Sequence, residues 1–195
     1  MELNEAIEIV KHQLEKKRFD HTLRVIETAQ ELAERFDAPL EKVELAAVFH
    51  DYAKQHPPEE LKREIISSDL PKDLLDHHSE LWHGPVGAIF AEREYGIIDK
   101  EILGAIRCHT TGKSHMNQIE LIIYLADYIE PGRSFPGLDE ARKAAKQDLL
   151  YACWIVSRNT ISYLLNKGVT IYPDSIHAYN DLTRKIKTEG MLNEQ

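Results

Sequence analysis

Apolar residues along this chain recur at helical spacing almost from end to end. Ile7, Val10 and Leu14 mark a first helix, and Leu23, Ile26, Ala29, Leu32, Ala33 and Phe36 a second. Asp20 is the expected N-cap of that second helix, which Asp37-Ala38-Pro39 ends. A third helix is expected from about Leu40 to Tyr52, with Val43, Ala46, Ala47 and Phe49 inward, and a short fourth after Pro57-Pro58. The stretch from Ser67 to His83 is broken by Pro71. Beyond it, helices are expected from Gly84-Pro85 to Tyr95-Gly96, from Asp99 to about His109, and from Gln118 to Glu130. The pattern continues with Leu138 to Gln147, then Asp148 to Lys167 closed by Gly168, and a last helix after Pro173-Asp174. No segment calls for a strand. The reading is all-α, one domain over residues 1–195, with a core at about 18–135 and C-terminal helices at about 138–190 packing on it.

Composition narrows the partners. The chain carries 33 Asp+Glu against 24 Lys+Arg, a formal charge of −9, with no long Lys/Arg tract. Such a balance argues against long nucleic acid bound through its backbone. Apolar runs such as Leu121 to Ala126 are far too short to span a bilayer. Two cysteines, Cys108 and Cys153, cannot build a disulfide framework. The opening Met1-Glu2-Leu3-Asn4-Glu5 lacks the basic and apolar regions of a secretory leader, so the expected location is the cytoplasm. The apolar C-terminal helices around Trp154 and Tyr163 either present a homodimer face or close the core.

The ten histidines change the picture more than the charge does. His21, the adjacent pair His50-Asp51, His83, His109 and Asp127 are imidazoles and carboxylates near predicted helix ends or on otherwise apolar helices. These are the ligand types of Zn, Fe or Mn centres. Adjacent residues on a helix point about 100° apart, so His50 and Asp51 can share an ion only at a packed junction. Asp127 lies in the apolar run Leu121 to Ile129, where a buried carboxylate needs a cation or hydrogen-bond donors. Taken singly, each histidine also suits a surface or structural place, and Asp127 a salt bridge at the core edge.

Taken together, His21, His50-Asp51 and Asp127 form an ordered H…HD…D set that resembles the HD-domain metal-dependent phosphohydrolases. The spacings are 29 residues from His21 to His50 and 76 from Asp51 to Asp127. The local sequences His50-Asp51-Tyr52-Ala53-Lys54, Leu81-Trp82-His83-Gly84-Pro85-Val86-Gly87-Ala88, His109-Thr110-Thr111-Gly112 and Leu125 to Arg133 are similar to those of the YqeK family. The resemblance spans roughly Asp20 to Tyr179 and implies an HD-domain helical bundle. It also implies a symmetrical bis(5'-nucleosyl)-tetraphosphatase that cleaves diadenosine tetraphosphate to two ADP.

By the same resemblance, one divalent ion would be held by His21, His50, Asp51 and Asp127. A second would be held by His83, His109 and a bridging Asp51. The resemblance leans to iron, while the ligand types also suit Mn, Zn or Co. Two such ions can activate a shared water for attack on phosphorus, so no protein nucleophile is required. Lys54 and Arg133 are expected to meet the charge of the phosphates, with Asp51 the central catalytic group. Gly84, Thr110, Thr111 and His115 are further substrate-contact candidates, although Lys54 and Arg133 also read as solvated charges and the Thr-Thr-Gly turn as a plain helix end. Two other functions stay open on the residues. One is a nucleotidase or phosphodiesterase acting on another nucleotide, and the other is a non-catalytic nucleotide-binding module.

Overall fold

The computed structural model describes residues 1–188 and Gly190. The expected domain extends to residue 195, and of that stretch residues 189 and 191–195 lie outside the described residues. The described residues contain α-helices and short 3-10 turns and no strand. In chain order the helices are α1 (Leu3–Gln13), α2 (Lys16–Arg35), α3 (Leu40–Phe49), α4 (Pro58–Ser67) and α5 (His83–Tyr95). They continue with α6 (Lys100–Cys108), α7 (Gln118–Ile129), α8 (Leu138–Ala144), α9 (Leu149–Lys167) and α10 (Pro173–Thr188). The Pro-broken stretch after α4 folds as two 3-10 turns, Lys72–Asp76 and Ser79–Leu81.

Local chemistry accounts for most of the boundaries. Asp99 caps α6 by accepting from the N–H groups of Glu101 and Ile102. Asn117 and Glu120 form a reciprocal capping box at the start of α7. Asp148 caps α9 through the Tyr151 N–H, and Gly168 ends that helix in the left-handed region at φ 64°. One boundary departs from expectation. Asp20 does not cap α2, which starts a turn earlier at Lys16 after Glu15. Its carboxylate instead pairs with Lys16 Nζ at 2.6 Å, the i,i+4 geometry that stabilises a helix from within.

The long α2 packs against α3 and α7, α6 packs against α3, α5 and α7, and α9 lies against α7, α8 and α10. One cluster of buried apolar side chains runs from Ala6 in α1 to Ile186 in α10, with Phe49, Phe90, Ile122 and Leu125 fully enclosed. Burial of this kind is the main driving force of the fold. Trp154 is buried within the chain, donates to Thr183 Oγ1 at 3.0 Å and lies under Arg158, while Tyr163 and Leu165 further along α9 are exposed. No helix of the described residues is long and apolar enough to cross a membrane.

Candidate metal centre

The histidine and aspartate candidates come together where helices end. α3 stops at Phe49, and His50 keeps helical backbone angles while the following residues turn away, so His50 and Asp51 both face the centre. His83 is the first residue of α5, His109 follows the last residue of α6, and Asp127 lies in the last turn of α7. His21 projects from the second turn of α2. His21, His50, Asp51, His83 and His109 are all buried.

Hydrogen bonds to acceptors set the imidazole tautomers. His50 Nδ1 lies 2.6 Å from the Ala47 carbonyl, and His109 Nδ1 lies 2.8 Å from the Ile106 carbonyl. A carbonyl can only accept, so each Nδ1 carries the proton and each Nε2 lone pair is left facing the centre. His21 Nδ1 makes the same kind of bond, 3.1 Å to the Glu130 carboxylate.

Asp51 is the hub. Its Oδ2 lies 3.4 Å from His50 Nε2 and 3.6 Å from His21 Nε2. Its Oδ1 lies 3.1 Å from His83 Nε2 and 3.7 Å from His109 Nε2. Two three-residue groups thus share one carboxylate: His21, His50 and Asp51, then Asp51, His83 and His109. Asp127 Oδ1 joins the first group, 3.0 Å from His21 Nε2 and 4.0 Å from His50 Nε2.

This donor set fits a divalent cation. The Nε2 atoms of His21 and His50 are buried and have no hydrogen-bond partner. A buried polar atom without a partner is costly, and a cation would satisfy both lone pairs together with the adjoining carboxylates. The carboxylates favour the charged form needed for such a role. Burial pushes Asp51 upward, but His50, His109 and His83 outweigh it and hold the carboxyl well below the ordinary range. Burial likewise opposes ionisation of Asp127, and the adjoining His21 ring and the Arg133 charge overcome it. Burial lowers His83 to about 4 despite the opposing pull of Asp51, so its ring is neutral near pH 7.

The remaining candidates distribute unevenly. Arg133 donates to Asp127 Oδ1 at 2.7 Å, beside the centre. Lys54 pairs with Glu80 at 2.6 Å. Thr110 and Thr111 line a cavity of about 210 Å³ bounded by Leu74, Leu81, Pro85 and Tyr172, and the Thr110 hydroxyl is buried without a partner. Gly84 is buried, and a Cβ there would fall 2.9 Å from the Arg107 carbonyl and 3.1 Å from that of Ile106. Close approach of α5 to α6 is therefore reason enough for glycine at this position. His115 is not brought to the centre. Its side chain is 82% exposed and sits beside Asp181 of α10.

Three charged residues beside the centre were not among the candidates. Arg18 donates to Asp51 Oδ2 at 2.8 Å. Glu130, itself buried, accepts from Arg24 Nε at 2.6 Å and from the Gly132 N–H at 2.6 Å while holding His21. The available signal was spacing: Arg18 lies three residues before His21, and Glu130 three after Asp127, each about one turn away.

Known proteins are similar to this chain in sequence and fold. The HD domain family model matches residues 18–132. The symmetrical bis(5'-nucleosyl)-tetraphosphatase of Bacillus subtilis (strain 168) is 50% identical over 180 residues, covering 92% of this chain and 97% of that protein. The enzyme of the same description from Staphylococcus aureus (strain NCTC 8325 / PS 47) is 41% identical over 194 residues, covering 97% of this chain and 100% of its own. A crystal structure from Clostridium acetobutylicum, described as a predicted HD superfamily hydrolase involved in NAD metabolism, superposes with a TM-score of 0.89. That protein is 37% identical, with 95% of this chain and 98% of the other covered. The buried histidine-aspartate centre and these similarities lead to one conclusion: the chain belongs to the HD-domain family, within the YqeK family of HD phosphohydrolases.

Proposed function

We propose that the chain hydrolyses diadenosine tetraphosphate symmetrically, giving two ADP. The observation that carries the chemistry is the pair of histidine groups sharing Asp51. The substrate rests on the likeness to symmetrical tetraphosphatases at 41% and 50% identity over nearly the whole chain. The reading takes the chain as one domain.

The proposed ligands of a first divalent ion are His21, His50, Asp51 and Asp127, and those of a second are His83, His109 and Asp51. Iron is the proposed metal, with Mn, Zn and Co as alternatives. When bound, the ions supply the Lewis acidity that activates water and neutralises phosphoryl oxygens. The protein's part is to preorganise. The Ala47 and Ile106 carbonyls hold two rings in the tautomer that presents Nε2. Arg133 and Lys54 are proposed to meet the phosphate charge, with Gly84, Thr110 and Thr111 near the substrate.

Replacing Asp51 removes a donor from both groups at once. Asp51→Ala is expected to lose bound metal and hydrolysis together, measured by metal analysis and by product chromatography. A variant retaining both would overturn the shared-carboxylate assignment. Release of AMP and ATP, or faster turnover of mononucleotides than of the tetraphosphate, would overturn the symmetrical reading.

A further inference from the structure

The chain leaves α7 through Glu130-Pro131-Gly132-Arg133, a turn closed by the Arg133 N–H on the Glu130 carbonyl at 3.0 Å. Proline at the second position of such a turn presets its backbone angle. Both ends of the turn send a side chain to the centre. The Glu130 carboxylate holds the His21 ring, and Arg133 donates to Asp127 Oδ1 at 2.7 Å. Two proposed ligands of the first ion therefore take their orientation from a turn that contains no ligand. α2 braces that turn closely, because a Cβ on Gly132 would fall 2.5 Å from Arg24 Nε.

A second hold comes from α8. Arg142 Nε donates to the Ile129 carbonyl at 2.9 Å, and its Nη2 donates to the carbonyls of Glu130 at 2.7 Å and of Arg133 at 3.3 Å. One side chain thus grips the end of α7 and both ends of the turn after it. Carbonyls at a helix C-terminus lack partners within the helix and carry its negative pole, so a cation is favoured there. Three acceptors shared by two nitrogens suit a planar guanidinium fork, whereas an ammonium is a point charge on a flexible stem. α8 is itself well anchored. Its Leu138 and Ala141 are buried, it packs on α7 and α9, and its Glu140 pairs with Arg158 of α9. This helix lies beyond residues 18–132, the stretch matched by the HD family.

We propose that Arg142 is a positioning residue for the metal centre: by spanning three carbonyls it fixes the turn at residues 130–133, and through that turn the orientation of His21 and Asp127. The inference rests on the metal reading above and extends it to a helix outside the matched HD stretch. The C-terminal helices then complete the centre as well as cover the core. His83 opens α5 and His109 follows α6, away from this turn in the chain, so the effect should fall on one ion of the two.

The test uses the full chain as wild type, Arg142→Met and Arg142→Lys, titrated with Co(II). Four readings are taken: Co(II) affinity and stoichiometry, the visible spectrum of the bound Co(II), urea unfolding of the metal-free protein, and hydrolysis of diadenosine tetraphosphate as Co(II) is raised. Arg142→Met is expected to weaken binding of one Co(II) per chain about tenfold, the lower end of the loss when a ligand's supporting partner is removed, and to shift the spectrum. Its hydrolysis should recover as Co(II) is raised. Arg142→Lys should unfold like the parent yet keep part of both defects, because one ammonium cannot span the three carbonyls. Lost stability with parental Co(II) affinity and spectrum would overturn the proposal and leave Arg142 a plain brace of α7. So would parental affinity and spectrum in Arg142→Lys, the variant that decides if Arg142→Met does not fold. If Co(II) binding responds to Arg142 yet the wild type leaves diadenosine tetraphosphate uncleaved, the positioning role stands and the substrate reading fails. A wild type that binds no Co(II) would overturn both the metal reading and this proposal.

Discussion

At the scale of single residues, the centre depends on groups that never face it. Glu130 does not join either three-residue group, yet its carboxylate fixes the ring of His21 and is itself fixed by Arg24 and Gly132. Partners of this kind set the tautomer and basicity of a ligand imidazole, and losing one typically weakens metal binding about 10- to 100-fold. Glu130→Gln is expected to lower metal affinity by that factor while leaving the helical circular dichroism unchanged. Titration of the metal-free protein with Mn or Zn measures it, and an unaltered affinity would show that His21 is held by packing alone. Cys108 needs no catalytic account. Burial raises its thiol far above the ordinary range, which suits an inert packing group.

At the scale of elements, the centre is assembled from helix ends. An interior helical residue is committed to one face, whereas the first or last residue of a helix can turn its side chain into a junction. His50 and His109 follow the last residues of α3 and α6, and His83 opens α5. The α5–α6 junction is tight because Gly84 lies against the Ile106 and Arg107 carbonyls, and those backbone oxygens cannot swing aside. Gly84→Ala is therefore expected to push the start of α5 from the end of α6, separating His83 from His109, whose Nε2 atoms lie 3.0 Å apart. The expected cost is about 1–3 kcal/mol in denaturant unfolding, with weaker binding of metal. An alanine variant as stable and as metal-avid as the parent would show that the junction has room to spare. One boundary was misread from spacing: Asp20 was expected to cap α2, but the helix begins at Lys16, which places Asp20 inside it as the i,i+4 partner of Lys16.

At the scale of the whole molecule, a chain of charge −9 is proposed to bind a polyanion. The conflict is resolved by placement. Arg18, Arg24 and Arg133 gather on one side of the centre, and salt at ordinary ionic strength screens acids more than about 10 Å away. The centre also ties α2, α3, α5, α6 and α7 together through side chains that pair poorly without a cation. Metal should stabilise the fold by mass action, about 2.7 kcal/mol when free metal is a hundred times Kd. Removing it with a chelator is expected to lower Tm, by roughly 2–4 °C for each kcal/mol in a chain of this size. A chelated protein that melts with the loaded one would show the metal bound too weakly to couple to folding.

Sequence alone determined the helices and the ligand types. Periodicity follows from the backbone repeat, so Val43, Ala46, Ala47 and Phe49 had to share an inner face, and His21, His50-Asp51, His83, His109 and Asp127 were visible as chemistry out of place. Tertiary structure decided which of them meet. Asp51 became the shared carboxylate, Arg18 reached it across 33 positions and Glu130 reached His21 across 109, while His115 went to α10 instead. Arg18 and Glu130 were hard to see because a charged residue on a helix has the same local pattern whether it faces water or a buried partner. Local sequence sets which side of a helix a residue occupies. What that side meets is set by the packing of helices far apart in the chain.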